Sequence, residues 1–236
     1  QKLQLKPTDH VLEIGTGWGG FALYAATRYG CRVTTTTISK EQHEYAAQRI
    51  REAGLEDRVT LLFDDYRNLE GSYDKLVSIE MIEAIGHRYF DTYFSKCAGL
   101  LKADGMMLLQ SITIADQRYA AARKSIDYIQ RYIFPGGCLP SVAALSDAIA
   151  RKTDMRIFHM EDIGPHYATT LHLWRERFFA NIEKIKQLGY SERFIRMWQY
   201  YLCYCEGGFR QQSIGTVQLL LTKPQVLRPP LSSTDC

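Results

Sequence analysis

Three acidic groups and a run of glycines define the chemistry open to this chain. Glu13 ends the apolar run Val11-Leu12-Glu13-Ile14 and is followed by Gly15-Thr16-Gly17-Trp18-Gly19-Gly20. An apolar helical pattern begins at Phe21. Glycines at a strand-to-helix turn let a ligand approach bare backbone, and the first N–H groups of the helix face it. Gly15, Gly17 and Gly20 also fit dinucleotide spacing, but two features argue against a dinucleotide. An acid at position 13 suits an ammonium or hydroxyl group better than a pyrophosphate. The second apolar run ends in threonines, through Thr37, where a ribose-binding acid is expected. The other acids are Glu80 and Glu83, in Glu80-Met81-Ile82-Glu83-Ala84-Ile85-Gly86-His87. Glu80 reads as a solvated loop acid. Glu83 is flanked by Ile82, Ala84 and Ile85 and is costly to bury without a task, which points to function. Gln110 follows Leu108-Leu109 and fits equally a crevice-facing amide or a satisfied strand end.

These groups need a frame. Strands are predicted at 11–14, 31–38, 59–63, 73–79 and 106–112. Between them, helices are predicted at 19–29, stopped by Gly30, at 40–53, and at 89–101. Ser39, with Gln42 three residues on, has the pattern of a capping box. This alternation predicts an α/β fold with a mostly parallel sheet covered on both faces and ligands at the carboxyl ends of its strands. The rhythm then changes. A helix is expected at 116–131, a rigid loop at Phe134-Pro135-Gly136-Gly137-Cys138-Leu139-Pro140, a helix at 142–152 and a sixth strand at 155–163. Helices at 168–189 and 191–205 and a seventh strand at 216–222 complete the chain, with the last strand antiparallel. The expected organisation is one domain over 1–223. Helical insertions at about 115–150 and 166–210 cover the active site. The Pro- and Ser-rich segment 224–236 reads as a disordered tail.

The strand ends then assemble a cradle. Thr37 and Gln42 can hydrogen-bond a ribose, and Asp65 can accept from an adenine amino group. Ile38 and Tyr66 offer apolar faces to a base. Singly each has a bland explanation; together they call for a nucleoside. The aromatic stretch from Phe194 to Tyr204 has the density of a pocket for a long apolar chain.

Composition narrows the class. The 236 residues carry a formal net charge of +3, only mildly basic, which gives no case for nucleic acid. No apolar run reaches the ~18–20 residues of a membrane span. The six cysteines show no paired metal spacing, so no metal is expected, and most are expected to be buried thiols.

Glu13-x-Gly15-x-Gly17 resembles the first motif of S-adenosylmethionine-dependent methyltransferases, in which the acid serves the amino-acid end of the cofactor. A longer set of motifs resembles the cyclopropane-fatty-acyl-phospholipid synthase family, which includes the mycolic acid cyclopropane synthases. These motifs are Gly15-x-Gly17-Trp18-Gly19, Thr37-Ile38-Ser39-Lys40-Glu41-Gln42, Asp65-Tyr66-Arg67, Glu83, Tyr132-Ile133 with the Phe134 to Pro140 loop, Tyr167-Ala168-Thr169-Thr170-Leu171, and Tyr200-Tyr201-Leu202 with Gly208-Phe209-Arg210. The match runs to about Lys223, and the Phe134 to Pro140 block is its most specific part. The resemblance implies a Rossmann-like class I methyltransferase fold with a seven-stranded sheet. It implies methyl transfer from S-adenosylmethionine to the cis double bond of unsaturated phospholipid acyl chains, followed by loss of a proton to form cyclopropane fatty acids. It also implies a bicarbonate base, held by Glu83, Tyr201 and the Ile112 backbone, with Gln110 where the family carries His. The family's cysteine ligand lies upstream of the first motif, ahead of Gln1. Gln110, and Ala84 where many bacterial members carry His, resemble the plant-type branch. The resemblance further implies a cytoplasmic protein, peripheral to the inner face of the membrane, and allows a homodimer. The alternatives are a methyl-branching acyl or small-molecule N-methyltransferase, and a non-catalytic cofactor-binding subunit.

Overall fold

The computed structural model describes residues 1–228 and 231. Its centre is one seven-stranded sheet in the order β3-β2-β1-β4-β5-β7-β6. The strands are β1 His10–Ile14, β2 Arg32–Thr37, β3 Val59–Phe63, β4 Tyr73–Ile79, β5 Leu101–Ile114, β6 Arg156–Asp162 and β7 Ile214–Thr222. β7 runs antiparallel to both β5 and β6, and the other pairs are parallel. The expected α/β fold with an antiparallel last strand is therefore present.

Alternate residues of the central strands feed the two faces. Leu12, Leu76 and Met107 join Tyr93, Phe94 and Leu145 on one side, beneath α3 (Phe90–Leu100) and α6 (Val142–Lys152). Val11, Val33 and Val77 join Ala22, Ala25 and Ile50 on the other, beneath α1 (Gly20–Tyr29) and α2 (Lys40–Glu52). Both faces are dry, so the strands read as nearly continuous apolar or threonine runs. α1 ends where Gly30 takes a left-handed conformation, φ 68°, and its N–H bonds Ala26 O. Ser39 caps α2 by accepting from the Gln42 N–H. The capping box stays open, because the Gln42 side chain bonds Thr37 instead.

Several expectations change. The helix expected at 116–131 is two helices, α4 Asp116–Ala122 and α5 Tyr128–Tyr132. Asp127 and Gln130 form a reciprocal capping box, which starts a new helix there. β5 begins at Leu101 rather than 106, because residues 102–105 form an excursion between the Tyr73–Leu101 and Lys75–Met106 pairs. The later helices are α7 Gly164–Ala180, α8 Ile182–Gln187 and α9 Glu192–Arg210. α7 starts early because Pro165 suits a first helical turn. α9 runs on through Gly207-Gly208, and a Cβ on Gly208 would lie 3.0 Å from Ile214 Cδ1. Glycine there lets β7 approach the helix.

Part of the expected disordered tail is packed. Val226 is buried in the α1/α2 core, and the Arg228 guanidinium donates to Lys2 O and lies over Phe158. Residues 229–230 and 232–236 lie outside the described residues. Cys31, Cys97 and Cys138 are buried as expected; Cys203 is exposed and Cys205 half-buried, and Cys236 lies outside the described residues. Among the described residues no helix is long and apolar enough to cross a membrane.

Candidate active site

Parallel pairing sets the carboxyl ends of β3, β2, β1, β4 and β5 side by side, and the predicted residues gather there. The glycine turn after β1 takes left-handed backbone at Gly15, Gly17 and Gly19, with φ of 99°, 52° and 81°. The Gly15 and Thr16 N–H groups bond Thr36 O on β2, which pins the turn to its neighbour. A Cβ on Gly15 would sit 3.3 Å from Met81, so this turn touches the segment carrying Glu83. A Cβ on Gly17 would meet nothing within 4 Å, so the turn opens into free space there. Gly19 leaves the N-terminus of α1 without a side-chain cap.

Glu13 is 3% exposed, and its Oε2 accepts from Thr35 Oγ1 at 2.6 Å. Thr16 Oγ1 lies 2.7 Å from that same hydroxyl. Burial pushes the Glu13 carboxyl up to about 8, against the opposing pull of the Thr35 bond. A cationic or hydroxyl-bearing ligand would restore its ionised form. Thr37 is buried, donates to Gln42 Oε1 at 2.8 Å and accepts from the Ser39 N–H. That leaves the Gln42 amide NH₂ as the donor of the pair. Ile38 is 73% exposed at the end of β2.

Two cradle residues are engaged differently from the sequence reading. Asp65 caps a short 3₁₀ turn and accepts from the Arg67 N–H, Nε and Nη2. Those bonds hold its carboxyl below the usual range, so it meets a base only with oxygens already shared. Tyr66 turns inward and stands edge-on to Tyr93, with 5.5 Å between ring centroids. It is half-buried, with this edge packed on the core.

At the end of β4 a 3₁₀ turn, Ile82–Ala84, carries Glu83. Its Oε1 accepts from the Ser111 hydroxyl at 3.0 Å and the Ile112 N–H at 2.5 Å. Its Oε2 is buried without a partner among the described residues. Burial pushes this carboxyl up to about 7, and the neighbouring Glu80 adds to the rise. The Ile112 N–H, assigned by resemblance to the base, thus holds Glu83. The Phe134 to Pro140 loop closes over this turn: the Cys138 N–H donates to Glu83 O at 2.7 Å and the Ile114 N–H to Pro140 O. A Cβ on Gly137 would lie 3.1 Å from Phe134 O and 3.4 Å from Glu83 O, so glycine permits this approach.

Glu80 is not the solvated acid expected. It adopts φ 53°, a conformation that costs a non-glycine residue ~1–2 kcal/mol. Its Oε1 accepts from Gln110 Nε2 at 2.7 Å and its Oε2 from the Tyr167 hydroxyl at 2.6 Å. Gln110 Oε1 in turn accepts from Gln218 Nε2 at 2.8 Å. Sequence reasoning named Glu80 but gave it no role, and it missed Ser111 and Gln218; Tyr167 stood in a motif without an assigned role.

A helical cap stands over this end. Tyr167 on α7 stacks on Phe209 of α9 at 4.6 Å and 22°. Buried Glu206 on α9 binds Arg175 on α7 and Arg210, and locks the two helices together. Tyr201 on α9 packs against Trp198 and Phe134. Burial raises its phenol far above the ordinary tyrosine range, so it is a hydrogen-bond donor at neutral pH. Between α7, α8 and α9 runs a cleft of about 390 Å³, lined chiefly by Trp174, Phe178, Ile185, Trp198, Tyr201 and Leu202. A cleft of about 500 Å³ beside Arg67, Asp91, Lys96 and Lys152 holds none of the carboxylates described above.

The arrangement therefore has a backbone cradle beside a buried acid, a second acid held near neutrality, and an aromatic apolar cleft above. Comparison with known proteins identifies the family. A family model described as mycolic acid cyclopropane synthetase matches residues 1–219. The chain is 44% identical over 215 residues to tuberculostearic acid methyltransferase UfaA1 of Mycobacterium tuberculosis, covering 91% of this chain and 50% of that protein. It is 42% identical over 224 residues to cyclopropane-fatty-acyl-phospholipid synthase of Escherichia coli K12, covering 94% of this chain and 56% of that one. The chain thus spans about half the length of these curated relatives. The solved structure of mycolic acid cyclopropane synthase CmaA1 with SAH and CTAB superposes with a TM-score of 0.86 at 30% identity, over 94% of this chain and 80% of that one. The seven-stranded sheet is thus the Rossmann-like class I methyltransferase fold, and the chain belongs to the mycolic acid cyclopropane synthetase family.

Proposed function

We propose that this chain transfers a methyl group from S-adenosylmethionine to the cis double bond of unsaturated phospholipid acyl chains and forms cyclopropane fatty acids. The observation that carries the reading is Glu83. It is a carboxyl held near neutrality, with one oxygen fixed by Ser111 and Ile112 and the other buried and unpartnered beneath an aromatic cap. Such a group is expensive to retain unless something is placed against it.

The cradle suits the cofactor. Gly15 and Gly17 expose backbone, Glu13 is placed for the amino-acid end, and Thr37, Ile38 and Gln42 for the ribose and base. Asp65 and Tyr66 border it, with Tyr66 as support. When bound, the sulfonium supplies an electrophilic methyl group. The alkene is a weak nucleophile, so the protein must align the partners and exclude water. The groove beside Trp174, Trp198 and Tyr201 suits an acyl chain, and its ring faces suit the cationic character developing there.

Ring closure then needs a base. An anion such as bicarbonate fits beside the two acids only while Glu83 keeps its proton, and burial favours that state. The free Glu83 Oε2 would face it, with Tyr201 and Gln110 as donors. Access to the acyl chain is proposed to come from peripheral contact with the inner face of the membrane. Exposed Ile126, Tyr132, Phe134 and Trp174 on the cap are the apolar residues placed for that contact.

A second reading, methyl branching without a ring, is favoured by the relative named tuberculostearic acid methyltransferase. The deciding experiment is NMR of lipids extracted from cells producing the full-length protein. Cyclopropane signals support the proposal. Methyl-branched or methylene lipids select the second reading, and unmodified lipids refute both.

A further inference from the structure

A row of side chains crosses the sheet behind the site. Lys2 Nζ donates to Glu161 on β6 and, at 2.5 Å, to Gln218 Oε1 on β7. Gln218 Nε2 donates to Gln110 Oε1 on β5, and Gln110 Nε2 donates to Glu80 Oε1. The Tyr167 hydroxyl closes the row on Glu80 Oε2. Register produces this alignment: Glu161 pairs with Gln218, Gln218 with Gln110, and Ile79, just before Glu80, with Gln110.

The ends of the row have fixed polarity. An ammonium only donates, and an ionised carboxylate only accepts. An amide has one accepting and one donating end. Lys2 therefore settles which way Gln218 faces, and Gln218 settles which way Gln110 faces. Lys2 is 7% exposed, so water does not readily replace it as the donor.

We propose that Gln218, oriented by Lys2, is a positioning residue that turns the NH₂ of Gln110 toward Glu80. This rests on the methyl-transfer reading of the site. With Gln110 reversed, its carbonyl would oppose the Glu80 carboxylate. Glu80 would then be pushed away from Tyr167, and the wall beside Glu83 would lose its shape.

Gln218→Glu tests this without emptying space. The new carboxylate still accepts from Lys2, but it can only accept from Gln110, whose amide must turn around. The full-length variant is expected to fold and to bind S-adenosylmethionine with unchanged affinity, because the cradle lies on β1 to β3. Its kcat is expected to fall at least ~10-fold, the scale of one displaced hydrogen-bonded group. Lys2→Met is expected to lose kcat likewise, and Lys2→Arg, still donor-only, to keep it. Side-chain amide NMR with ¹⁵N-labelled glutamine reads orientation apart from activity. The Gln110 amide signal should shift on Glu80→Gln in the otherwise wild-type protein and stay unmoved by Glu80→Gln in the Gln218→Glu background. A shift that persists in that background, or an unchanged kcat, overturns the proposal. A protein that shows the NMR pattern but methylates no lipid overturns the functional reading and leaves the positioning role in place.

Discussion

Glu83→Gln should make this protein more stable and less active, with a pH dependence that identifies the cause. Glu83 rises from an ordinary 4.5 to about 7, chiefly because burial disfavours its charge. Below pH 4.5 it is protonated whether the chain is folded or not, and its contribution to stability is fully present. As pH rises toward 7 the unfolded chain releases the proton while the folded protein holds it, so stability falls. Above about pH 7 the loss levels off at ~3 kcal/mol. Glutamine carries no charge, and its carbonyl can still accept from Ser111 and the Ile112 N–H. The variant should therefore match the wild type near pH 4 and exceed it by ~3 kcal/mol at pH 8. Glu13 titrates similarly in both proteins, so the difference isolates Glu83. Turnover should fall ~10²- to 10⁴-fold, as for loss of a group that places a base, while cofactor affinity persists. Urea denaturation at several pH values gives the first quantity and lipid turnover the second. A stability difference that is flat with pH would refute the buried-acid argument, and near-normal ring formation would remove Glu83 from the mechanism.

The other expectations concern the cradle and the membrane. Glu13→Gln should raise stability above pH 8 by up to ~5 kcal/mol and weaken S-adenosylmethionine binding at least tenfold by calorimetry; equal affinity would dismiss Glu13 as a cofactor ligand. Gly17→Val should cost ~1–2 kcal/mol for its left-handed backbone, but weaken cofactor binding far more, because its side chain enters the open space at the turn. Cofactor affinity in proportion to the small stability loss would place the ligand elsewhere. The full-length protein should co-sediment with anionic vesicles at low salt, less so at high salt, and less again in Trp174→Ala; absence of low-salt binding counts against the peripheral contact.

Much of the frame was legible because its signals are local. The first apolar run, the Gly30 stop and the Ser39 cap act over two to five residues, and β1, α1 and α2 formed within a residue of where they placed them. The strand ends followed from topology alone: parallel neighbours bring Gly15, Thr37 and Glu83 to one edge of the sheet. The partners of those residues were a different matter. Asp65 is captured by Arg67 two residues away, a competition that side-chain reach decides and residue type does not. Tyr66 meets Tyr93 on α3, a contact made only when that helix docks on the sheet. The break before Asp127 needed a capping box to form in place of a continued helix. Glu80 looked solvated because its donors stand 30 and 87 residues away, on a strand and on a cap helix. A side chain's class and the element that bears it are properties of neighbouring sequence. What that side chain touches depends on the register of the whole sheet and the docking of the cap, and these are settled only when all the elements pack together.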